Sequence, residues 1–265
     1  MTSTRCVQLV GNILKIIFYI DVLLRPGKRY VVPAKWPALL APRKEKKIPR
    51  IVWQTNYTRR VTLSIYVNYL FNRLMAPTYE FRFWDDAECE EFVARNFSRE
   101  TVAAYLDLQI GAAKADLWRI LVLSRYGGIY LDADAALSWP PESMLASDQT
   151  ELFVREMTGR LSNYFLAAAP GHPLLAATAH RIVENIQANE ISSVYHMTGP
   201  TVIDELAGNA AVCIESSTLV CRQGQFTRKV FQYPDKLRGY WVKEQAERPI
   251  VVHRAPDASP GTLGS

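Results

Sequence analysis

Asp132 and Asp134 are the residues whose type and spacing most directly suggest chemistry. They follow Gly128 to Leu131, a short apolar run bounded by glycine and aspartate, which predicts a buried strand. Because side chains alternate along an extended chain, Tyr130, Asp132 and Asp134 are expected on one face. A hard cation such as Mg²⁺ or Mn²⁺ relieves the repulsion between two such carboxylates and keeps positions for phosphate oxygens. The pattern therefore predicts a site for a metal and a diphosphate.

A helix is predicted immediately before this strand. Residues 114–126 are good helix formers without proline, and Gly127 supplies the left-handed residue that commonly ends a helix. Asp116 and Arg119 are three residues apart and therefore share one helix face. There the arginine can orient the aspartate or bind a phosphate, or the two residues can form a simple intrahelical ion pair.

The segment ADLWRILVLSRYGGIYLDAD, residues 115–134, resembles the central signature of the DxD-containing sugar transferases of glycosyltransferase family 32. This family includes initiating mannosyltransferases and bacterial capsule and lipopolysaccharide enzymes. The resemblance covers roughly residues 48–206. Its other motifs are IPRIVWQT at 48–55, YEFRFWDD at 79–86, NYFLAAAPGHPL at 163–174 and MTGP at 197–200.

The resemblance implies a GT-A fold, a divalent cation and a nucleotide-sugar donor. By similarity, Asp116 and Arg119 would contact the hydroxyls of the donor sugar. Asp132 and Asp134 would hold the metal and the nucleotide diphosphate, with Tyr130 beside them. It also implies that the anomeric configuration is retained, and no enzymatic nucleophile can be nominated.

Four further residues are candidates on weaker grounds. Trp53 and Gln54 match the nucleotide-side strand of the family, although Trp53 can equally be a buried strand residue that only packs. Asn163 either binds a sugar hydroxyl or turns the chain. His253 follows the apolar run 249–252 and is either a further metal ligand or a capping or surface histidine.

The order of predicted elements indicates α/β architecture, which is compatible with the single GT-A type nucleotide-binding domain that the resemblance implies, placed here over residues 48–254. Because ligands in open α/β sheets bind beyond the carboxyl ends of the strands, Asp132 and Asp134 are well placed for binding. Strands are predicted at 50–54, 80–84, 128–132, 151–155 and 163–168. Helices are predicted near 86–96, 114–126, 173–187 and 200–207. Residues 255–265 are rich in Pro, Gly and Ser and are expected to be a disordered tail.

The first part of the chain is strongly basic. Residues 1–50 contain 11 Lys/Arg and two acidic residues, a net charge of +9, whereas the remainder carries 20 basic and 24 acidic residues, a net of −4. This asymmetry predicts an anionic partner for the arm 1–47. The arm lacks a recognisable nucleic-acid-binding module, which disfavours nucleic acid.

The apolar stretch 7–24 is interrupted by Lys15 and Asp21, which disfavours a full membrane span. A polar stripe at Gln8, Asn12, Lys15 and Tyr19 instead indicates an amphipathic helix. Such a helix can lie in the interface of an anionic membrane, or it can pack on the catalytic domain. The expected location is peripheral membrane, on the cytoplasmic face of the inner membrane in a bacterium or in the Golgi lumen in a eukaryote.

These observations predict a glycosyltransferase that moves a sugar from a UDP- or GDP-sugar to a hydroxyl of a membrane-associated glycan or glycolipid. Two other classes stay open. A phosphohydrolase of the haloacid dehalogenase type has an apolar strand followed by an Asp-x-Asp motif, but the residue at Ala136 does not fit that motif. A non-catalytic glycan-binding protein would have the same fold. The intact set of Asp116, Arg119, Asp132 and Asp134 argues against this class, because binding alone does not require it.

Overall fold

The structure is a computed structural model that describes residues 2–42, 44–208, 210–228, 232 and 241–253, with only the backbone described for residues 2–10. Within these residues, helices cover both faces of a central β-sheet. The predicted α/β architecture is confirmed. The predicted tail at 255–265 lies outside the described residues.

The strands are β1 (Tyr30–Val31), β2 (Lys35–Trp36), β3 (Ile51–Thr55), β4 (Arg60–Val61), β5 (Glu80–Trp84), β6 (Gly128–Leu131), β7 (Ala135–Leu137), β8 (Glu151–Arg155), β9 (Leu161–Ala168), β10 (Ile214–Ser216) and β11 (Cys221–Gln223). The central sheet has the order β10-β8-β9-β6-β3-β5-β2, and β1-β4 and β11-β7 form two small sheets. Strands β3, β5 and β6 are parallel, whereas β9 is antiparallel to β6. Strand β6 therefore lies in the middle of the sheet.

The helices are α1 (Thr2–Leu24), α2 (Leu63–Met75), α3 (Asp86–Asn96), α4 (Arg99–Asp107), α5 (Gly111–Tyr126), α6 (Pro141–Met144), α7 (Pro173–Ala188), α8 (Val194–Met197), α9 (Pro200–Ala207), α10 (Ser217–Val220) and α11 (Trp241–Glu247). Every strand and helix predicted between residues 50 and 207 is present, with each end within three residues of its prediction. Helix α3 begins with a capping box between Asp85 and Glu88.

The alternation of side chains in β6 divides the core into two layers. Ile129 and Leu131 pack with the residues that face α2, whereas Tyr130 packs with the residues that face α5 and α7. All four residues of β6 are buried, as expected for a central strand covered on both faces. This strand is thus a rigid base for the residues that follow it.

The paired glycines between α5 and β6 are required by backbone geometry. Gly127 has φ +63° and Gly128 has φ +106°, which are conformations that side-chain-bearing residues rarely adopt. A Cβ at Gly127 would lie 2.7 Å from Pro170, and a Cβ at Gly128 would lie 2.6 Å from the carbonyl oxygen of Ile51. The close turn holds α5 in a fixed position relative to β6.

Helix α1 packs on the body of the protein through one side. Phe18 is buried with Phe226 and Ala136, and Leu14 and Val22 pack against the same cluster. Neither α1 nor any other helix of the described chain has the length and apolar character that a membrane crossing requires.

Candidate active site

The two aspartates of the DxD motif lie in a tight turn at the carboxyl end of β6. The amide of Ala135 donates to the carbonyl of Asp132 (2.9 Å) and closes this turn. The chain therefore does not continue as an extended strand from Tyr130 to Asp134. The prediction that side-chain alternation along a strand brings Asp132 and Asp134 together is wrong. The two carboxylates nevertheless lie close together. One atom, Gln223 Nε2, lies 3.2 Å from both Asp132 Oδ2 and Asp134 Oδ1.

Two buried asparagines of α2 hold the backbone of this turn. Asn68 Nδ2 donates to the carbonyls of Ala133 (2.8 Å) and Ala135 (2.9 Å). Asn72 Nδ2 donates to the carbonyl of Ala135 (2.8 Å), and its Oδ1 accepts from the amide of Leu137 (2.9 Å). These bonds fix the direction in which the two aspartates leave the sheet. Sequence analysis missed both asparagines, because a lone polar residue in a helix carries no local signal of a distant partner.

Asp116 and Arg119 form the second part of the site, on the face of α5 that meets β6 and β9. Arg119 Nη2 lies 3.2 Å from Asp116 Oδ1, as the helical spacing predicted. Asn163 Nδ2 donates to Asp116 Oδ1 (2.9 Å), and the hydroxyl of Thr198 donates to Asp116 Oδ2 (3.1 Å). Thr198 lies in the MTGP segment, for which the sequence suggested no individual role.

Arg119 joins the two parts of the site. Its Nη1 lies 3.4 Å from Asp132 Oδ1 and donates to the carbonyl of Asn163 (2.7 Å). The guanidinium also lies over the ring of Tyr130, 4.4 Å from the centroid, and the Tyr130 hydroxyl donates to Asp132 Oδ1 (2.6 Å). The predicted residues Asp116, Arg119, Tyr130, Asp132, Asp134 and Asn163 are therefore brought together.

Burial sets the electrostatics of these groups. Desolvation raises the pKa of Asp116 to about 6, although Arg119 and the bond from Thr198 act in the opposite direction. Desolvation and the neighbouring Asp132 raise the pKa of Asp134 to about 6. Burial alone would lower the pKa of Arg119, but Tyr130 and the surrounding carboxylates raise it above its usual range. Arg119 is thus a permanent cation in the site, and a nearby positive charge favours the ionised forms of the buried carboxylates Asp116 and Asp134.

The donor set at the turn fits a divalent cation that keeps open coordination positions. Asp132 and Asp134 offer two converging carboxylates, and Gln223 and Gln232 place neutral amides against them, with Gln232 Nε2 2.6 Å from Asp134 Oδ2. Among the described residues, no group of three or more His, Cys, Asp or Glu side chains could hold a metal by itself. Two carboxylates leave coordination positions open for other oxygen ligands, as Mg²⁺ and Mn²⁺ sites often require.

These groups line one cleft with a volume of about 630 Å³. This volume is within the range of small-molecule and cofactor sites. Its wall contains the six residues named above together with Thr55, Asn56, Tyr57, Lys114, Glu156, Tyr195, Gln223, Thr227, Gln232, Trp241 and Glu244, among others. The cleft therefore combines carboxylates, one buried arginine and several aromatic side chains.

The two strand residues predicted to bind the donor do not line this cleft. Trp53 is fully buried, donates from Nε1 to the carbonyl of Gly127 (2.9 Å) and stacks on Tyr126 with the ring centroids 5.8 Å apart. Gln54 is also fully buried, and its Nε2 lies 3.4 Å from the carbonyl of Asp132. For Trp53, the packing alternative agrees with the structure. Gln54 reaches the site only through the backbone of the turn.

His253 is likewise not brought to the predicted metal site. Its Nδ1 lies 3.0 Å from Asp107 Oδ2, its side chain is half exposed, and it does not line the cleft. The capping or surface alternative agrees with this position. The candidate metal ligands therefore reduce to Asp132 and Asp134.

Residues 49–151 match a family model described as "Glycosyltransferase sugar-binding region containing DXD motif". The chain is also similar to the initiation-specific alpha-1,6-mannosyltransferase of Schizosaccharomyces pombe, with 27% identity over 59% of this chain and 45% of that protein. Inositol phosphoceramide mannosyltransferase 3 of the same yeast is 27% identical over 58% of this chain and 43% of that protein. The chain thus spans less than half the length of these curated relatives.

Among solved structures, a chain titled "PaToxG Glycosyltransferase" has a TM-score of 0.51 and 17% sequence identity, over 77% of this chain and 78% of that chain. At this identity the likeness concerns the fold alone. The predicted GT-A type α/β fold is confirmed. The match over residues 49–151 and the named relatives confirm the resemblance to the DXD-containing glycosyltransferases of family 32.

Proposed function

We propose that this protein is a metal-dependent, retaining glycosyltransferase that uses a nucleotide-diphosphate sugar. The observation that carries the proposal is the convergence of Asp132 and Asp134 within one cleft with the buried Asp116–Arg119 pair. Asp132 and Asp134 would hold Mn²⁺ or Mg²⁺ together with the donor diphosphate. When bound, such a cation supplies Lewis-acid stabilisation of the charge that develops on the leaving diphosphate.

The protein's own groups provide orientation and fixed charge. Asp116 is held by Arg119, Asn163 and Thr198, so its carboxylate is preorganised to accept hydrogen bonds from sugar hydroxyls. Arg119 remains charged and lies beside Asp132, where it adds electrostatic stabilisation to the diphosphate side of the cleft. We propose residues 48–254 as the catalytic domain and residues 1–47 as an arm.

Mannose is the first sugar to test, because the matched curated relatives are named as mannosyltransferases. One of them is named for inositol phosphoceramide, which is a membrane lipid. This name supports a membrane-associated glycan or glycolipid as the acceptor class. A peripheral membrane location is proposed on the same basis and on the basic character of the arm.

The test measures nucleotide release from GDP-mannose, UDP-glucose and UDP-galactose, with Mn²⁺ and with EDTA. We expect release from at least one donor that depends on Mn²⁺ and is lost in Asp132→Asn and Asp134→Asn. The exposed Asp148→Asn variant is the matched control and should keep wild-type release. Absence of release from every donor would favour a non-catalytic glycan-binding protein. Free phosphate from simple phosphate esters would favour the phosphohydrolase.

A further inference from the structure

Helix α1 has two apolar faces on opposite sides. Gly11 and Phe18 are buried against the body of the protein, with Leu14 and Val22 beside them. The opposite side carries six large aliphatic residues that are 48–75% exposed, and we call it the outer face of α1. Its residues are Ile13, Ile16, Ile17, Ile20, Leu23 and Leu24. Their spacing of three and four residues places them on one side of a helix.

Such a contiguous exposed apolar face indicates a binding surface, since monomeric soluble proteins rarely present one of this kind. The charge near it identifies the partner. Arg25, Lys28 and Arg29 follow the helix directly, and residues 1–50 as a whole carry a net charge of +9. A second copy of the chain would bring two such basic segments together, and they would repel each other. A partner that combines an apolar interior with a negatively charged surface matches both the apolar outer face and the basic residues that follow it.

We propose that the outer face of α1 inserts into the interface of an anionic bilayer, with the helix lying along the membrane surface. No described helix can cross a membrane, which agrees with a helix that lies along it. Some of the basic residues of the arm have partners on the domain instead. Lys35 pairs with Glu80 (3.2 Å), and Lys46 pairs with Glu142 (3.2 Å). The basic residues that follow the outer face directly in sequence are Arg25, which pairs with Asp21 of the same helix, Lys28 and Arg29.

The inner side of α1 lies against residues 223–227, which contribute to the wall of the cleft. Gly11 is packed so closely that a Cβ there would lie 2.7 Å from Gln225 Nε2, and Phe18 packs in the same cluster as Phe226. Two residues before Gln225, Gln223 contacts both aspartates of the turn. The bilayer-bound helix would thus hold the cleft close to the lipid headgroups. This last consequence rests on the proposed function, because it presents a membrane acceptor to the transferase site.

The experiment is flotation of the full chain with phosphatidylcholine vesicles that contain or lack phosphatidylserine. Wild type is expected to float with the anionic vesicles. The double variant Ile16→Gln, Ile20→Gln should reduce the partition coefficient by about tenfold or more, because it removes apolar burial from the outer face. The matched control is Met157→Gln, Leu219→Gln, which changes two exposed apolar residues elsewhere, 91% and 52% exposed, and should float like wild type.

Failure of wild type to float with anionic vesicles would overturn the proposal, and so would equal flotation of the Ile16/Ile20 variant. Sedimentation equilibrium without vesicles tests the competing occupant. A dimer that the Ile16/Ile20 change dissociates would show that a second copy covers this face. Circular dichroism melts confirm that the variants fold. Nucleotide release from the sugar donors is measured on the same samples. A wild-type protein that floats with anionic vesicles but releases no nucleotide would refute the proposed function and leave the membrane contact standing.

Discussion

Arg119 lies 3.4 Å from Asp132 Oδ1 and thereby connects helix α5 to the acidic turn that follows β6. The same guanidinium lies 3.2 Å from Asp116. One cation thus links the carboxylate proposed for the sugar to a carboxylate proposed for the metal and diphosphate. The charge and shape of this arginine should matter more to turnover than to folding.

Arg119→Lys should lower kcat for nucleotide release by about 100-fold, because lysine keeps the charge but not the planar fork that contacts Asp116, Asp132 and the carbonyl of Asn163. Arg125→Lys, on an exposed position of the same helix, is the control and should leave kcat unchanged. Steady-state kinetics with the best donor measures both variants. Wild-type kcat in Arg119→Lys would mean that the arginine is only a structural ion pair.

Asp116→Asn should remove activity and change the pH dependence of stability. The folded-state pKa of Asp116 is about 6, above its usual value of 3.8, so the folded protein binds this proton more tightly than the unfolded chain. The free energy of unfolding of wild type therefore falls as pH rises from about 4 to about 6, and the deficit persists at higher pH. Asparagine cannot ionise and avoids this loss.

Urea melts at about pH 4 and about pH 8 check this expectation. The stability of Asp116→Asn relative to wild type should increase by about 1–3 kcal/mol between the two conditions. Asp148→Asn, an exposed control, should show no such change. A relative stability that is constant with pH, or that changes in the opposite direction, would show that Asp116 is not destabilised by burial.

Trp53→Phe should lower stability without weakening donor binding. The change removes the hydrogen bond from Nε1 to the carbonyl of Gly127 and part of the packing against Trp84 and Tyr126. A loss of about 1–3 kcal/mol is expected from these contributions. Denaturant melts and the KM for the donor are the two readouts. A severalfold rise in KM at unchanged stability would instead support contact between the indole and the nucleotide base.

His253→Gln should leave the Mn²⁺ requirement unchanged, because His253 contacts Asp107 and does not line the cleft. The measurement is the Mn²⁺ concentration that gives half-maximal nucleotide release. A half-maximal Mn²⁺ concentration about tenfold higher in the variant would indicate that His253 is a metal ligand after all.

Local sequence patterns were sufficient for most of the fold. The C-terminal end of α5 and both ends of β6 follow from Gly127, Gly128 and the acidic residues after the strand, all of which are signals within a few positions. The same span holds Asp116, Arg119, Asp132 and Asp134, so the centre of the site could be predicted. Its convergence depends on the tight turn after β6, and the strand alternation invoked from the sequence was not the cause.

The remaining site residues depend on long-range packing. Gln223 contacts Asp132 across 91 positions of sequence, and Thr198 contacts Asp116 across 82. The sequence around Gln223 and around Thr198 contains no local pattern that would predict these contacts. Trp53 illustrates a different difficulty. Its burial was predictable from the apolar strand, but which side of the sheet borders the cleft depends on how α5 and α7 pack.

The central claim is that Asp132 and Asp134 jointly hold the cation that carries the donor diphosphate. Anomalous diffraction at the manganese edge, from crystals grown with Mn²⁺ and the nucleotide diphosphate of the active donor, tests it most directly. We expect one strong peak within coordination distance of both carboxylates and of the diphosphate, and its loss in Asp134→Asn crystals. A bound nucleotide with no anomalous peak between the two aspartates would contradict the account.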